Sequence, residues 1–139
     1  MTWLYEGREA TDADLEGSVA FVYEILHKAS GKRYIGKKRL FVKKTRKPLK
    51  EKKRKRVSFV ESDWRDYWGS SDKLLEDVKK YGEQAFTRTI LRLCKTLAES
   101  SYYEAKAQFE NDALLHPDKY WNDWISVRVR TSHLRHLQK

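Results

Sequence analysis

The chain has 139 residues, 40% of them hydrophobic and 13% aromatic, which suits one cored domain over residues 1–139 and excludes a disordered tail. No apolar run reaches bilayer length and no charged-then-apolar leader opens the chain, so a soluble cytoplasmic protein with no membrane partner is expected. The formal net charge is +10, yet residues 37–56 alone hold 13 Lys and Arg against Glu51, a local +12 that leaves the remainder at −2. So confined an excess is the footprint of a polyanion partner, with phosphates the usual target. The plainer alternative is a solvated basic loop.

Residues 1–17 are polar and acidic and read as an irregular lead-in. "SVAFVYEIL" is rich in β-branched and aromatic residues, with Val19, Phe21, Tyr23 and Ile25 on one face by the two-residue period of a strand. "KRYIGKKRLFV" reads as a second strand with Tyr34, Gly36, Lys38 and Leu40 on one face, and "HKASG" between the two suits an antiparallel hairpin. Residues 43–56 follow as a basic insertion, a loop or extended ribbon broken by Pro48. "ESDWRDYWGSSDKLLEDVKKYG" suggests helical pieces, with Ser70 or Ser71 as a cap and Gly82 as the stop. "AFTRTILRL" looks like a third strand. "TLAESSYYEAKAQFENDALL" has helical spacing at Tyr103, Ala107 and Leu114, closed by Pro117, and "WISVRVR" is a candidate last strand. The single cysteine, Cys94, lies in an apolar stretch and reads as a buried thiol in a reducing compartment.

Few of the chemistry-bearing residues speak alone. Glu104 and Gln108 share a helical face, but a glutamate on a helix is most often a solvated one. Asn122, after two aromatics in "KYWND", is most often a turn residue. His133 and His136 have half of a zinc spacing and no second pair to complete it. A phosphate-cradling glycine loop, a carboxylate cluster and a serine elbow are all missing from the sequence.

As an ordered set, these residues resemble the GIY-YIG nuclease family. The set is Tyr23, "YIG" at 34–36, basic residues, an Arg-bearing helical stretch, Glu104 and Asn122. Where that family has Gly-Ile-Tyr, this chain has Phe21-Val22-Tyr23, so the first motif keeps only its tyrosine, while the second is intact. "YIGKK", "ESDWRDYWGSS", "EAKAQF" and "YWNDWISVRVRTSHL" are similar to a phage-encoded branch of homing-type endonucleases, over about residues 19–134.

The resemblance implies an α+β fold: a small three-stranded antiparallel sheet flanked by helices, here with the basic insertion after the second strand. It also implies a DNA endonuclease. Hydrolysis needs a group to take the proton of the attacking water, and a phenol of pKa about 10 needs nearby cations to serve. Tyr23 is expected as that base, with Tyr34 orienting or sharing the proton and Lys38 close by. Glu104 corresponds to the family's metal ligand for one hard cation, Mg²⁺ or alternatively Mn²⁺. Asn122 matches its late Asn as a structural or phosphate-positioning residue. Arg65 is the first candidate for the catalytic arginine, ahead of Arg46, Arg56 and Arg39. Lys37, Arg39, Lys43, Lys44, Arg46, Lys52, Lys53, Arg54, Lys55 and Arg56 are expected to hold double-stranded DNA, with a homodimer on DNA as one arrangement. Two other readings compete: a basic nucleic-acid-binding module that has lost the chemistry, and a structural RNA-binding protein. The second would explain the charge but not the ordered set.

Overall fold

A five-stranded mixed sheet carries the site, in a computed structural model that describes residues 2–46, 50 and 56–138. In chain order the elements are β1 (Trp3–Tyr5), β2 (Arg8–Glu9), α1 (Asp12–Leu15), β3 (Ala20–His27), β4 (Arg33–Arg39), β5 (Phe41–Arg46), β6 (Arg56–Glu61), α2 (Asp72–Tyr81), β7 (Phe86–Cys94) and α3 (Leu97–Glu110). The sheet order is β2-β1-β7-β3-β4, and β5 with β6 forms a separate two-stranded ribbon.

The expected hairpin is present: β3 and β4 pair antiparallel from Ala20↔Arg39 to Leu26↔Arg33. β3 lies inside the sheet, between β7 and β4, and is covered on both faces. Phe21, Tyr23 and Ile25 pack with Trp3, Trp64, Trp68, Leu74 and Phe86, while Val22 packs with Ile35 and Cys94 beneath Tyr103 and Ala107 of α3. Burial also pushes the Cys94 thiol up to about 12, which keeps it unreactive. Ser71 caps α2 by accepting from the Leu74 N–H, and Gly82 at φ 85° ends it.

Four expectations need correction. Residues 1–17 are not irregular: they form β1, β2 and α1, because Trp3 enters the core and its indole N–H donates to the Trp64 carbonyl at 2.8 Å. Glu6 and Gly7, both at positive φ, make the tight turn between β1 and β2, and Thr11 and Asp14 close a capping box on α1. The sheet therefore has five strands rather than three, with β1 parallel to β7. The last helix stops at Glu110, short of Leu114, because Asp112 turns to φ 50°. "WISVRVR" forms no strand. The free edge of β4 is already occupied by residues 119–121, through Arg33 N–H to the Lys119 carbonyl (2.9 Å) and Trp121 N–H to the Arg33 carbonyl (3.0 Å).

The basic insertion is an extended ribbon where described, with pairs from Phe41↔Glu61 to Arg46↔Arg56. Lys52, Lys53, Arg54 and Lys55 lie outside the described residues. Among the described residues no helix is long and apolar enough to cross a membrane.

Candidate active site

A cleft of about 740 Å³ opens along the outer edge of β4. Because it straddles an edge, residues from both faces of the strand reach it: Tyr34 from one and Lys37 from the other. α3 contributes Glu104 and Gln108, the start of α2 contributes Ser70 to Lys73, and residues 121–126 form the remaining wall. The YIG strand and the helical glutamate, 70 positions apart in the sequence, thus meet across one cavity.

Each wall is fixed by hydrogen bonds. The Asn122 side chain pairs with both backbone groups of Ile35: its Oδ1 accepts from the N–H (3.1 Å) and its Nδ2 donates to the carbonyl (2.8 Å). Gln108 donates to the same carbonyl at 2.9 Å. These amides replace a missing neighbour strand and hold β4 in place at the "YIG" residues. Tyr34 shares a 3.0 Å hydrogen bond with the Ser70 hydroxyl. Its phenol is raised above the ordinary value by burial, and the Ser70 bond acts in the opposite direction. Burial likewise raises the Glu104 carboxyl, against the Lys37 ammonium and a hydrogen bond from the Lys37 backbone N–H. Lys37 itself donates to Ser101 Oγ at 2.6 Å. Its counterpart on the far wall is Lys73, 3.7 Å from Asp123.

Tyr23 lies behind Tyr34, their ring centroids 6.2 Å apart. It is 1% exposed, and its phenol is raised well above the ordinary value by burial, then by Tyr67 and Tyr34. A slip of register in the β3–β7 pairing between Val22 and Tyr23 (Val22↔Arg92, Tyr23↔Ile90) sets the direction of this residue. Gly36 makes room for it: a Cβ there would stand 2.5 Å from Tyr23 Oη and 2.6 Å from Cζ. The glycine of "YIG" is therefore the floor on which the first-motif tyrosine rests.

Arg65 is not brought to this cleft. It sits in a short 3-10 turn (Trp64–Asp66) and pairs with Asp12 (2.9 Å) and Glu61 (2.7 Å), beside a different cavity. Lys38 also points elsewhere, to Asp63 at 2.5 Å and over the Tyr67 ring at 4.0 Å. It joins Lys37 and Arg39 in lining a smaller cavity of about 270 Å³ toward the ribbon, where Lys43 and Lys44 are exposed. A buried arginine does act near the site, through structure. Arg88 on β7 lies between the rings of Trp3 (4.6 Å) and Trp68 (4.4 Å) and donates to the carbonyls of Arg65 (3.0 Å) and Tyr67 (2.8 Å). It anchors the loop that delivers Ser70 to Tyr34. Its signal in the sequence is a period-two stripe, Phe86, Arg88 and Ile90, in which one member is charged. Lys73 and Trp124 carry no sequence signal of that kind.

No group of three or more His, Cys, Asp or Glu able to hold a metal occurs among the described residues. The cleft is lined by three carboxylates, Asp72, Glu104 and Asp123; Asp123 faces Lys73, and Glu104 is the one projected from α3. That donor fits Mg²⁺, which keeps several waters and takes one or two carboxylates with substrate phosphates.

The sequence model of a family described as "Putative endonuclease segE, GIY-YIG domain" matches residues 3–125. The chain is similar to the protein named "Putative endonuclease segE" of Enterobacteria phage T4, with 35% identity over 85 residues, 60% of this chain and 31% of that protein. The matched stretch is therefore less than a third of the relative's length. No solved structure matches the chain.

Proposed function

The chain belongs to the GIY-YIG endonuclease family, in its phage SegE branch, and from that premise we propose that it hydrolyses DNA phosphodiester bonds in the Tyr34–Glu104 cleft. One observation carries the reading: the Tyr34 phenol, the Glu104 carboxylate and the Lys37 and Lys73 ammonium groups line a single cavity, together with Asp72 and Asp123, beside an Asn that clamps the backbone of the "YIG" strand.

Glu104 would hold the divalent cation that the family uses, Mg²⁺ in our reading, and the cation would supply charge stabilisation at the phosphoryl oxygens. Lys37 and Lys73 line the same cleft and would face the phosphate from opposite walls. They are our candidates for the cationic role that sequence spacing assigns to Arg65. Tyr34 borders the cleft and is the phenol we place at the attacking water: it takes the water's proton as its own passes to the exposed Ser70 hydroxyl and on to solvent. Tyr23 supports it from behind. Asn122 is a positioning residue, since both ends of its amide are committed to Ile35. A phage-encoded enzyme of this kind would work in the host cytoplasm.

The test is a nicking assay on supercoiled plasmid with Mg²⁺, with and without chelator. Wild-type protein should yield relaxed or linear DNA only with free cation. Glu104→Gln should lower the rate by at least about 10²-fold, the scale of one lost charge-stabilising group, while leaving DNA affinity within a few fold. DNA binding without cleavage in the wild type would favour the non-catalytic module instead.

A further inference from the structure

The five tryptophans all fall among the described residues and divide sharply. Trp3, Trp64, Trp68 and Trp121 are 3 to 7% exposed. Three of their indole N–H groups are committed, to the Trp64 carbonyl (2.8 Å), Glu61 Oε1 (2.8 Å) and Asp77 Oδ2 (2.9 Å), and Trp68 stacks on Arg88. Trp124 is 74% exposed and lines the Glu104 cleft. It does not hang from a loose tail. Asn122, two residues before it, is hydrogen-bonded to Ile35, and Asp123 faces Lys73 at 3.7 Å. A large apolar ring is therefore presented to solvent at the rim of a cavity whose other lining groups include Lys37 and Lys73 and the carboxylates of Asp72, Glu104 and Asp123.

We propose that Trp124 is a stacking platform for an unpaired DNA nucleobase beside the cleaved phosphate, an inference that rests on the cleft being the phosphodiester site. Every base has a π-face, so such stacking is tolerant of sequence. A base inside a duplex already stacks on both sides and is out of reach. Only one that is unpaired, or extruded, can lie on Trp124. Lys37 and Lys73 in the same cleft suit the phosphates on either side of that nucleotide. The consequence is a preference for DNA with a locally unpaired position, decided by structure more than by sequence.

The experiment is a binding measurement on the full chain in chelator, so that nothing is cut. Fluorescein-labelled duplex is compared with the same duplex carrying a central bulge of unpaired thymidines. The bulged DNA should bind about tenfold more tightly, within the range of one base–aromatic stack, and should quench tryptophan emission more strongly. Trp124→Ala should bring the bulged affinity down to that of paired DNA without changing the latter, and Trp124→Phe should retain part of the preference. Retention of the full preference in Trp124→Ala would overturn the proposal. So would a wild type that binds both DNAs equally, which leaves the nuclease reading standing. Binding of neither DNA would remove both. Loss of self-association in Trp124→Ala with DNA preference intact would assign the ring to a second copy of the chain, again against the proposal.

Discussion

The surroundings of the two phenols give them different chemistry. Tyr34 stands at the cleft with a hydroxyl partner in Ser70, whereas Tyr23 is sealed behind it, over Gly36 and against Tyr67. Ionising a phenol in that inner position means placing charge where water cannot reach it, with neighbouring phenols and Glu104 opposing it. Tyr34→Phe should therefore lower the single-turnover cleavage rate by about 10²–10⁴-fold with little change in stability. Tyr23→Phe should cost about 1 kcal/mol of stability through the lost hydrogen bond between the Tyr23 and Tyr67 phenols and reduce the rate less. A larger rate loss from Tyr23→Phe at full stability would exchange the two roles. Sequence order alone singles out Tyr34, Glu104 and Asn122, because an ordered set of motifs survives large changes between its members. It ranks the tyrosines by motif, and burial is not written in a motif. Lys73 is invisible there for a similar reason: a lysine in the first turn of a helix has no distinctive spacing, and only the wall formed by residues 121–126 turns it into a cleft residue.

Among the elements, β7 and the loop from Trp64 to Ser70 depend on one another through Arg88. Burial lowers the pKa of this guanidinium, while two indole faces and two loop carbonyls receive it. Arg88→Leu keeps much of the volume but leaves those carbonyls without their donor. The expected loss is about 2–6 kcal/mol, from about 1–3 for each of the two part-buried carbonyls left unsatisfied. Chemical denaturation measures that loss, and cleavage at a temperature where the variant is folded measures the second effect. The rate should fall there as well, because the loop no longer presents Ser70 to Tyr34. A stable variant with full activity would deny Arg88 both functions. The hairpin of β3 and β4, the capped α2 and strand β7 are legible in the sequence, since period, cap and stop agree in each. The first strands are not. Trp3–Tyr5 is only three residues long, too short for a period to show, and it becomes a strand because β7 offers an edge and Trp64 a carbonyl. "WISVRVR" fails in the opposite way: its alternation suits a strand, yet the β4 edge it would need is already occupied.

At the scale of the whole molecule, the basic run and the cleft meet at Lys37. The +12 of residues 37–56 begins at Lys37 in the cleft, passes Lys38 and Arg39 in the smaller cavity, and continues into the β5–β6 ribbon. Ser62 ties the base of the ribbon to the body, its N–H donating to the Leu40 carbonyl (2.9 Å) and its hydroxyl to the Arg39 carbonyl (2.5 Å). A duplex held along this path would release counterions in proportion to its neutralised phosphates, about six of which give a log–log salt slope of about −5. Replacing Lys52, Lys53, Arg54 and Lys55 with glutamine should flatten the slope by about one unit for each phosphate that is no longer neutralised. Single-turnover cleavage at saturating protein should change little, because in the proposed mechanism these four residues hold DNA and do not stabilise the transition state. Equilibrium binding across a salt series and a saturating cleavage assay on the same variant separate the two. An unchanged slope would make the run a solvated loop. A collapse of saturated cleavage with binding preserved would place a catalytic cation among these four residues, and Lys37 and Lys73 would then lose the role proposed for them.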